Sequence, residues 1–373
     1  MLNRYLFMLA VMICFLFSCQ RDKTAEGNTG TSQRFDYARL IEMTCCEGYD
    51  VAVIRNPWDT TKILQQYVLV SRNRPLPDSL PEGILLKIPL QNVVMSSVVY
   101  CSLWKELGAE QSVSGICDTQ YLISPYWRQA VEKGDVIDVG GSMNMSIEKL
   151  VLSHCEVILL SPFNKGSYGG IEKIGIPILE CADYMESSPL GRAEWMRFYG
   201  HLLGRGHQAD SLFRQVEKAY MALKDKVADV RKRPTVFMDM KVGDTWYQPG
   251  ANSTIGRLVS DAGGDYVFSD YPQQGSVPLP FETVLHRAEK ADMWLIRHNG
   301  RMATYSSLAA EDERYTCFSA WKNQRIWVCD TYSVPFFEDI PFHPERLLKD
   351  FVRIMHPERT GRNTETVYYT EMR

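Results

Sequence analysis

The sequence lacks an excess of charge of one sign, because 41 lysine and arginine residues stand against 45 aspartate and glutamate residues, for a net charge of -4. No nucleic acid or other polyanionic partner is therefore expected. The 373 residues also contain no C-x-x-C pair and no H-E-x-x-H motif. A zinc site of either common type is therefore unsupported, and we predict no metal site.

The sequence also lacks the motifs of common hydrolases and nucleotide-binding enzymes. It has no G-x-S-x-G, no P-loop and no G-x-G-x-x-G after a predicted strand. We therefore predict a protein that is not an enzyme and holds no cofactor of its own. The alternative class is an enzyme, either a hydrolase or an oxidoreductase.

An export signal is predicted at the N-terminus. Arg4 is followed by the apolar run LFMLAVMICFLF, residues 6–17, which is too short for a comfortable membrane span. The run ends in Leu16, Phe17, Ser18 and Cys19, which resemble the bacterial lipobox, in which the cysteine is acylated after cleavage. We predict a signal peptide at residues 1–18 and a lipid anchor at Cys19. The alternative is a simple anchor helix with an incidental cysteine.

The next segments are predicted to be a flexible polar tether, residues 19–33, and a β-rich extension, residues 34–85. The role of the extension is open. Eight cysteines remain once Cys14 and Cys19 are assigned to the signal and the anchor. Export permits disulfides among them, but several lie in apolar strands, where buried free thiols are common.

Strand and helix patterns alternate from Ile84 onward, which predicts parallel sheets covered by helices. Ligands of such sheets bind beyond the carboxyl ends of the strands. In the first half of the chain these ends are at residues 96–97, 140–142, 161–170 and 180–182.

The clearest helical pattern is at residues 207–230. Apolar residues recur there at three- and four-residue steps, so one face of a long helix is apolar. The segments 146–160 and 280–296, on either side of this helix, match each other: each has a glutamate at a helix start and then a buried-type strand. We predict an α/β protein with lobes at residues 86–206 and 231–373, joined by the long helix, with a ligand cleft between them.

Several segments, taken in order, resemble class III periplasmic substrate-binding proteins, the Fe/B12 type that serves ABC importers of ferric siderophores, haem or cobalamin. They include VGGSMNMSIEKLVLSHCEVILL, IPILECADY, WYQPGANSTIGRLVSDAGGDYVF and HPERLLKDFVRIMHPE. The resemblance covers roughly residues 88–357. It implies two α/β lobes joined by one long helix, and a monomer whose partners are permease subunits, their ATPase and a metal-chelate ligand.

Side chains that follow the predicted strands are the candidates for ligand contact. Aromatic faces suit a macrocycle or a catecholate, cations suit ligand carboxylates, and a tyrosine or histidine can ligate haem iron. For each single candidate a structural role remains open. The candidates are Tyr100, Trp104, Phe163, Tyr168, Lys241, Trp246, Tyr247, Tyr271, Arg297 and His298.

Two glutamates are implied by the resemblance as docking residues. Relatives present one exposed glutamate per lobe to arginines of the permease, and the matching residues are Glu148 and Glu282. Each is also well placed to stabilise its own helix start.

The sequence thus predicts a lipid-anchored solute-binding protein of the cell envelope, on the periplasmic side of the inner membrane. Two alternatives are kept. One is a surface lipoprotein that hands its ligand to an outer-membrane receptor; the other is a binding protein for bare zinc or manganese ions. The sequence does not distinguish among the chelates or fix the membrane leaflet.

The lipid anchor is tested by Cys19→Ala. We expect this protein to stay uncleaved or to leave the membrane, because two or three acyl chains at about 0.8 kcal/mol per buried CH₂ hold a protein firmly. Mass spectrometry and membrane fractionation measure the change. Normal processing and membrane retention of the variant would show that Cys19 is not lipidated.

Overall fold

The computed structural model describes residues 31–164, 167–300, 304–361 and 365–373. The predicted signal peptide, Cys19 and most of the tether lie outside these residues. Among the described helices, none is both long enough and apolar enough to cross a membrane. The eight cysteines from Cys45 to Cys329 are all free thiols, so none of them forms a disulfide.

The extension forms one sheet in chain order, antiparallel from β1 to β4, with β5 parallel to β4. Two boundaries differ from the prediction. Residues 31–33, assigned to the tether, pair with β2, and the strand at residues 84–88 crosses the predicted boundary at residue 86 and completes this sheet. The strands are β1 Thr31–Gln33, β2 Ile41–Cys45, β3 Asp50–Arg55, β4 Ile63–Ser71 and β5 Ile84–Ile88.

The first lobe has a sheet of order β11-β10-β6-β7-β8-β9, parallel except for the β8–β9 hairpin. Its short central strands are wholly buried, as expected of a parallel sheet covered on both faces. The strands are β6 Val93–Met95, β7 Val113–Cys117, β8 Ile137–Gly141, β9 Asn144–Met145, β10 Val157–Leu160 and β11 Ile178–Glu180; the helices are α1 Cys101–Glu106, α2 Pro125–Lys133 and α3 Ile147–Leu152.

Two packed helices, α4 Pro189–Leu202 and α5 Gly206–Lys226, follow this lobe. They cross closely because Gly200 has no side chain: a Cβ there would lie 2.3 Å from the Cβ of Ala209. Helix α5 is the predicted long helix. It starts beside the first lobe, where Arg205 donates to the carbonyl of Gly108 at 3.3 Å. It ends at the second lobe, where the Tyr220 hydroxyl donates to Asp261 at 2.6 Å.

The extension is held by two buried carboxylates, one on α4 and one just before it. Glu194 accepts backbone N–H groups of residues 36–38 at 2.8–2.9 Å. Glu186 accepts those of Arg39 and Leu40 at 2.9–3.0 Å. A buried charge is stable only when such donors replace water, so these bonds fix the position of the extension.

The second lobe has a sheet of order β15-β12-β17-β18-β19, in which only the β18–β19 pair is antiparallel, and a small antiparallel sheet β13-β14-β16. The strands are β12 Thr235–Met238, β13 Lys241–Val242, β14 Thr245–Pro249, β15 Asp265–Tyr266, β16 Ser276–Pro280, β17 Met293–His298, β18 Ile326–Asp330 and β19 Thr370–Glu371. The helices are α6 Thr254–Asp261, α7 Phe281–Ala288, α8 Tyr305–Glu311, α9 Ser319–Lys322, α10 Phe336–Asp339, α11 Pro344–Met355 and α12 Pro357–Thr360. The predicted two-lobe α/β fold with one long joining helix is confirmed.

A charged cluster joins the lobes directly. Glu106 of α1 accepts from the buried imidazole of His343 at 2.6 Å and from Arg346 at 3.4 Å. The other ring nitrogen of His343 lies 3.0 Å from Glu345, and Arg346 also donates to Asp339 at 2.9 Å. We call these five residues the interlobe cluster.

Two further bonds cross between the lobes near this cluster. Ser102 of α1 donates to Asp339 of α10 at 2.9 Å. Glu338, also on α10, accepts the backbone N–H groups of Ile123 and Ser124 at 2.6 and 3.2 Å. The lobes therefore have a defined relative orientation in addition to their connection through α5.

His343 is the titratable centre of the interlobe cluster. Burial alone would lower its pKa, but the hydrogen bonds and charges of Glu106 and Glu345 outweigh burial and raise the pKa to about 9. The same contacts lower the pKa of Glu106, although burial opposes them. His343 and Glu106 are therefore both ionised at neutral pH.

The interlobe cluster predicts a pH dependence of stability. The pKa of His343 is raised above its unfolded value of about 6.5, so its contribution is complete below pH 6.5 and is lost as pH rises through about 9. We expect His343→Gln to remove on the order of 3 kcal/mol of pH-dependent unfolding free energy. Denaturant unfolding at several pH values measures this difference, with the exposed His286→Gln as control. Parallel curves for wild type and His343→Gln would contradict the assignment.

Candidate functional site

The first lobe contributes a cavity of about 580 Å³ at the carboxyl ends of its strands. Small polar side chains follow the strands there. Ser96 and Ser97 follow β6, Ser142 follows β8 and Ser161 follows β10. Three of the four strand ends predicted from the sequence therefore line one cavity, whereas Cys181, at the fourth, is buried.

Two predicted aromatic residues border this cavity. The rings of Phe163 and Tyr168 meet edge to face at 5.0 Å, and Phe163 is exposed. The Tyr168 hydroxyl donates to Glu180 at 2.5 Å. Burial and this bond raise the pKa of Tyr168, so the phenol stays protonated. Phe163 offers an exposed apolar surface, and the ring of Tyr168 packs against it.

The second lobe contributes a larger cavity of about 950 Å³, at the ends of β12, β17 and β18. Four of the ligand candidates line it: Lys241, Tyr247, Arg297 and His298. The other lining residues are Tyr121, Asp239, Met240, Val242, Ser276, Asn299, Ser307, Leu308, Ala310, Glu311, Thr331, Tyr332 and Phe337.

The two cations of this cavity are already paired. Arg297 makes a two-point contact with Asp239, one bond of which measures 2.9 Å. Burial alone would lower the pKa of Arg297, but Asp239 outweighs it and raises the pKa. The ammonium of Lys241 lies 2.7 Å from Asp312. The cavity therefore has little uncompensated positive charge for a ligand carboxylate.

His298 occupies the end of β17 in the same cavity. Burial lowers its pKa, with the nearby charge of Asp330 opposing the shift, so the ring is neutral at pH 7. Its Nδ1 atom is buried without a hydrogen-bond partner. A neutral imidazole beside apolar and aromatic neighbours is suited to hydrogen bonding or metal coordination through its other nitrogen.

Four predicted ligand residues line neither of these cavities. Tyr100 and Trp104 are buried in the core, where they bond to Asp183 and Ser112 at 3.2 Å. Trp246 is buried and donates to the carbonyl of Met238 at 2.9 Å. Tyr271 lies beside Arg287, outside both cavities. The first three face inward because an aromatic ring on a central element gains most by packing in the core.

Three aromatic residues of the cavity were missed. Tyr121 comes from the first lobe, and its ring centroid lies 6.1 Å from that of Tyr332 in the second. Both follow strand ends, so the rule applied to the other candidates would have found them. Phe337 lies in α10, and no local pattern indicates that it reaches the cavity.

The two predicted docking glutamates are both exposed in first turns of helices, Glu148 in α3 and Glu282 in α7. They differ in their neighbours. Glu282 lies 3.3 Å from Arg314, whose guanidinium stacks 4.0 Å above the ring of Phe281. Within the described residues Glu148 has no ion pair.

Bare-metal binding would need several ligands at one place. In the part of the chain that the structure describes, no three His, Cys, Asp or Glu side chains are grouped to hold a metal ion.

Comparisons with known proteins agree with this geometry. Residues 93–332 match the periplasmic binding protein family. Among solved structures, the chain resembles a periplasmic haem-binding protein of Pseudomonas aeruginosa, with a TM-score of 0.60, 13% identity, and coverage of 76% of this chain and 98% of that one. It also resembles an ABC-type Fe³⁺-hydroxamate transport protein of Saccharomonospora viridis, with a TM-score of 0.56, 17% identity, and coverage of 70% and 92%.

The family match covers well over half of the chain, so the chain belongs to the periplasmic binding protein family, a family of solute-binding proteins. The predicted membership in a periplasmic binding protein family is thus confirmed, and the structural neighbours share the fold. An uncharacterized lipoprotein of Methanocaldococcus jannaschii is 26% identical over 317 residues, which are 80% of this chain and 75% of that protein.

Proposed function

We propose that the protein is the solute-binding lipoprotein of an ABC import system. It captures a ferric siderophore, haem or cobalamin-type ligand between its lobes and delivers it to the permease and its ATPase. The observation that carries this proposal is the pair of cavities, about 580 and 950 Å³, at the strand ends of the two lobes. Their size suits a ligand larger than a bare ion or a simple sugar.

The side chains of the cleft favour a ligand with aromatic or other flat apolar faces and a small net charge. The side chains exposed at the cavities are aromatic: Phe163, Tyr247, Tyr332 and Phe337. The two cations of the second-lobe cavity are instead held in ion pairs. Aromatic contact holds such a ligand without a strong charge requirement. This argument favours a metal chelate over free Zn²⁺ or Mn²⁺.

Reversible binding, not catalysis, is the role that we assign to the cleft. Lys241 and Arg297 are held by carboxylates, so they position the cavity wall instead of acting on a substrate. The protein acts as a monomer, anchored through Cys19 at the periplasmic face of the inner membrane. A surface lipoprotein that serves an outer-membrane receptor would use the same cleft, and fractionation with surface proteolysis separates the two locations.

Ligand binding is tested by titration with haem, cobalamin and a ferric siderophore, followed by quenching of tryptophan fluorescence. We expect at least one of the three to bind, and Phe163→Ala with Tyr247→Ala to weaken it about tenfold, because each ring loses its contact with the ligand. Trp246 is unsuitable as a probe of binding, because its removal would disrupt the core.

The matched control is Tyr126→Ala, a similarly exposed aromatic residue outside both cavities. Affinity should also change little with salt concentration, because the cleft cations are internally paired. Tight binding of a bare divalent ion with none of the three chelates bound would overturn this proposal.

Docking to the permease is proposed for Glu148 and Glu282. Charge-assisted pairs at an interface rim orient partners more than they add affinity. We therefore expect Glu148→Ala with Glu282→Ala to leave folding and ligand affinity unchanged while stimulation of the permease ATPase in proteoliposomes falls sharply. Of the two single variants, Glu148→Ala should reduce ATPase stimulation more than Glu282→Ala, because Glu282 is already paired with Arg314.

The exposed Glu289→Ala, at the opposite end of α7, is the control for loss of a surface charge. Full ATPase stimulation by the double variant at normal protein levels would remove both residues from the docking surface.

A further inference from the structure

The extension contacts the outer strand of the first-lobe sheet through one buried tyrosine. The family match begins at residue 93, so all five strands of the extension precede it. Strand β11 is the outer strand of the first-lobe sheet and has three residues. The Tyr67 hydroxyl of β4 donates to the carbonyl of Ile178 at 3.0 Å and accepts from the N–H of Glu180 at 2.8 Å. The extension therefore holds β11 by its backbone.

Tyr67 takes the place of a neighbouring strand at this edge. On its inner side β11 bonds to β10: the N–H of Ile158 donates to the carbonyl of Pro177 at 2.9 Å, and the N–H of Cys181 donates to the carbonyl of Leu160 at 2.8 Å. Backbone groups of alternate residues point to opposite sides of a strand, so those that Tyr67 contacts face the outer edge. One hydroxyl thus satisfies a donor and an acceptor that would otherwise lack a partner.

The side chain of Glu180 extends this contact to the ligand cavity. Its carboxylate accepts from the Tyr168 hydroxyl at 2.5 Å, and the ring of Tyr168 meets that of Phe163 edge to face at 5.0 Å. Both rings line the first-lobe cavity. Glu180 therefore bonds to the extension with its backbone and to the aromatic wall of the cavity with its side chain. We call the contacts from Tyr67 through Glu180 and Tyr168 to Phe163 the wall contacts.

A second link reaches the backbone next to Phe163. The Tyr184 hydroxyl donates to the carbonyl of Pro162 at 2.5 Å. Two residues after Tyr184, the buried carboxylate of Glu186 accepts N–H groups of residues 39–40 at 2.9–3.0 Å. The extension is therefore connected to the aromatic wall from two separate places in its own sequence.

We propose that the extension positions the aromatic wall of the first-lobe cavity, and that Tyr67 and Glu180 are positioning residues for ligand binding. Neither of them lines the cavity, so they act on a ligand only through Tyr168 and Phe163. This inference rests on the proposed function and gives the extension a part in it. The alternative is an extension that stabilises the fold and leaves the cavity unaffected.

The position of the wall matters because Phe163 is 40% exposed. A side chain that must be ordered when a ligand binds lowers the affinity. The bond from Tyr168 to Glu180 fixes the ring on which Phe163 packs, so the wall is ordered before a ligand arrives. Loss of the wall contacts should therefore weaken binding without removing any side chain that touches the ligand.

The test is Tyr67→Phe in the full chain, which removes the hydroxyl and keeps the ring in the core. Hydrogen exchange is followed by mass spectrometry in the peptides that contain Glu180 and in those that contain Phe163 or Tyr168. We expect exchange in both sets to rise about threefold or more, because β11 loses two bonds and the wall loses its support. Wild-type exchange at Phe163 and Tyr168 would overturn the proposal.

Affinity is measured by titration with haem, cobalamin and a ferric siderophore. Any of them that binds wild type should bind Tyr67→Phe about threefold more weakly. Tyr168→Phe and the double variant complete a double-mutant cycle. Because Tyr67 acts through Tyr168, the double variant should bind no more weakly than Tyr168→Phe alone. Losses that multiply would show that the two residues act independently, which contradicts the wall contacts.

Glu180→Gln is the second variant, because its backbone N–H still bonds to Tyr67 while its neutral amide accepts more weakly from Tyr168. We expect weaker chelate binding and faster exchange at Tyr168, with wild-type exchange at residues 178–180. Wild-type affinity of this variant for a chelate that binds wild type would remove Glu180 from the positioning role.

Tyr37→Phe is the matched control. The Tyr37 hydroxyl, also in the extension, donates to Glu217 of α5 at 2.6 Å, away from β11. This variant should keep wild-type affinity and wild-type exchange at Phe163 and Tyr168. Losses equal to those of Tyr67→Phe would show that the extension acts through general stability alone. Failure of all three chelates to bind wild type would instead overturn the proposed function, and the exchange measurements would still decide whether the extension positions the wall.

Discussion

The ion pair between Glu106 and His343, 2.6 Å apart, determines how the two lobes face each other. Helix α5 connects the lobes but leaves their rotation about its axis open, and a partly buried charged contact between α1 and the start of α11 restricts that rotation. The His343 imidazolium depends on its carboxylate partner, because its charge alone would be buried without compensation. Other hydrogen bonds between the lobes restrict this rotation as well: Ser102 donates to Asp339, and Glu338 accepts from the backbone of Ile123 and Ser124. The cleft is therefore largely formed before ligand arrives.

Several buried or cleft-lining charges of this protein are compensated internally, and this shapes the site. Glu186 and Glu194 hold the extension through backbone N–H groups, and Asp239 and Asp312 hold the two cleft cations. What remains open at the cleft is mainly aromatic and small polar surface. A binding protein that must release its cargo benefits from this arrangement, because many moderate contacts can be broken stepwise.

The extension and the boundary at residue 86 show where local pattern becomes insufficient. The apolar run at residues 84–95 reads as one strand, yet β5 pairs with β4 in the extension and β6 starts the sheet of the first lobe. Strand pairing is a long-range choice, and an apolar strand satisfies either sheet equally well. By contrast, α5 was predictable within a few residues, because a 21-residue amphipathic helix has the same apolar face whatever it packs on.

The sequence by itself determined the class of fold, the long joining helix, and the polar strand ends that line the cleft, because period and strand-end chemistry are local properties. Only the tertiary structure decided which aromatic residues are available to a ligand. Trp104 and Trp246 are in the core, whereas Tyr121 and Tyr332 meet across the lobes. The tertiary structure also decided that Arg297 and Lys241 are paired, since their carboxylate partners lie on different elements or far along the chain. Burial and ion pairing depend on neighbours that are distant in sequence, and no local pattern records them.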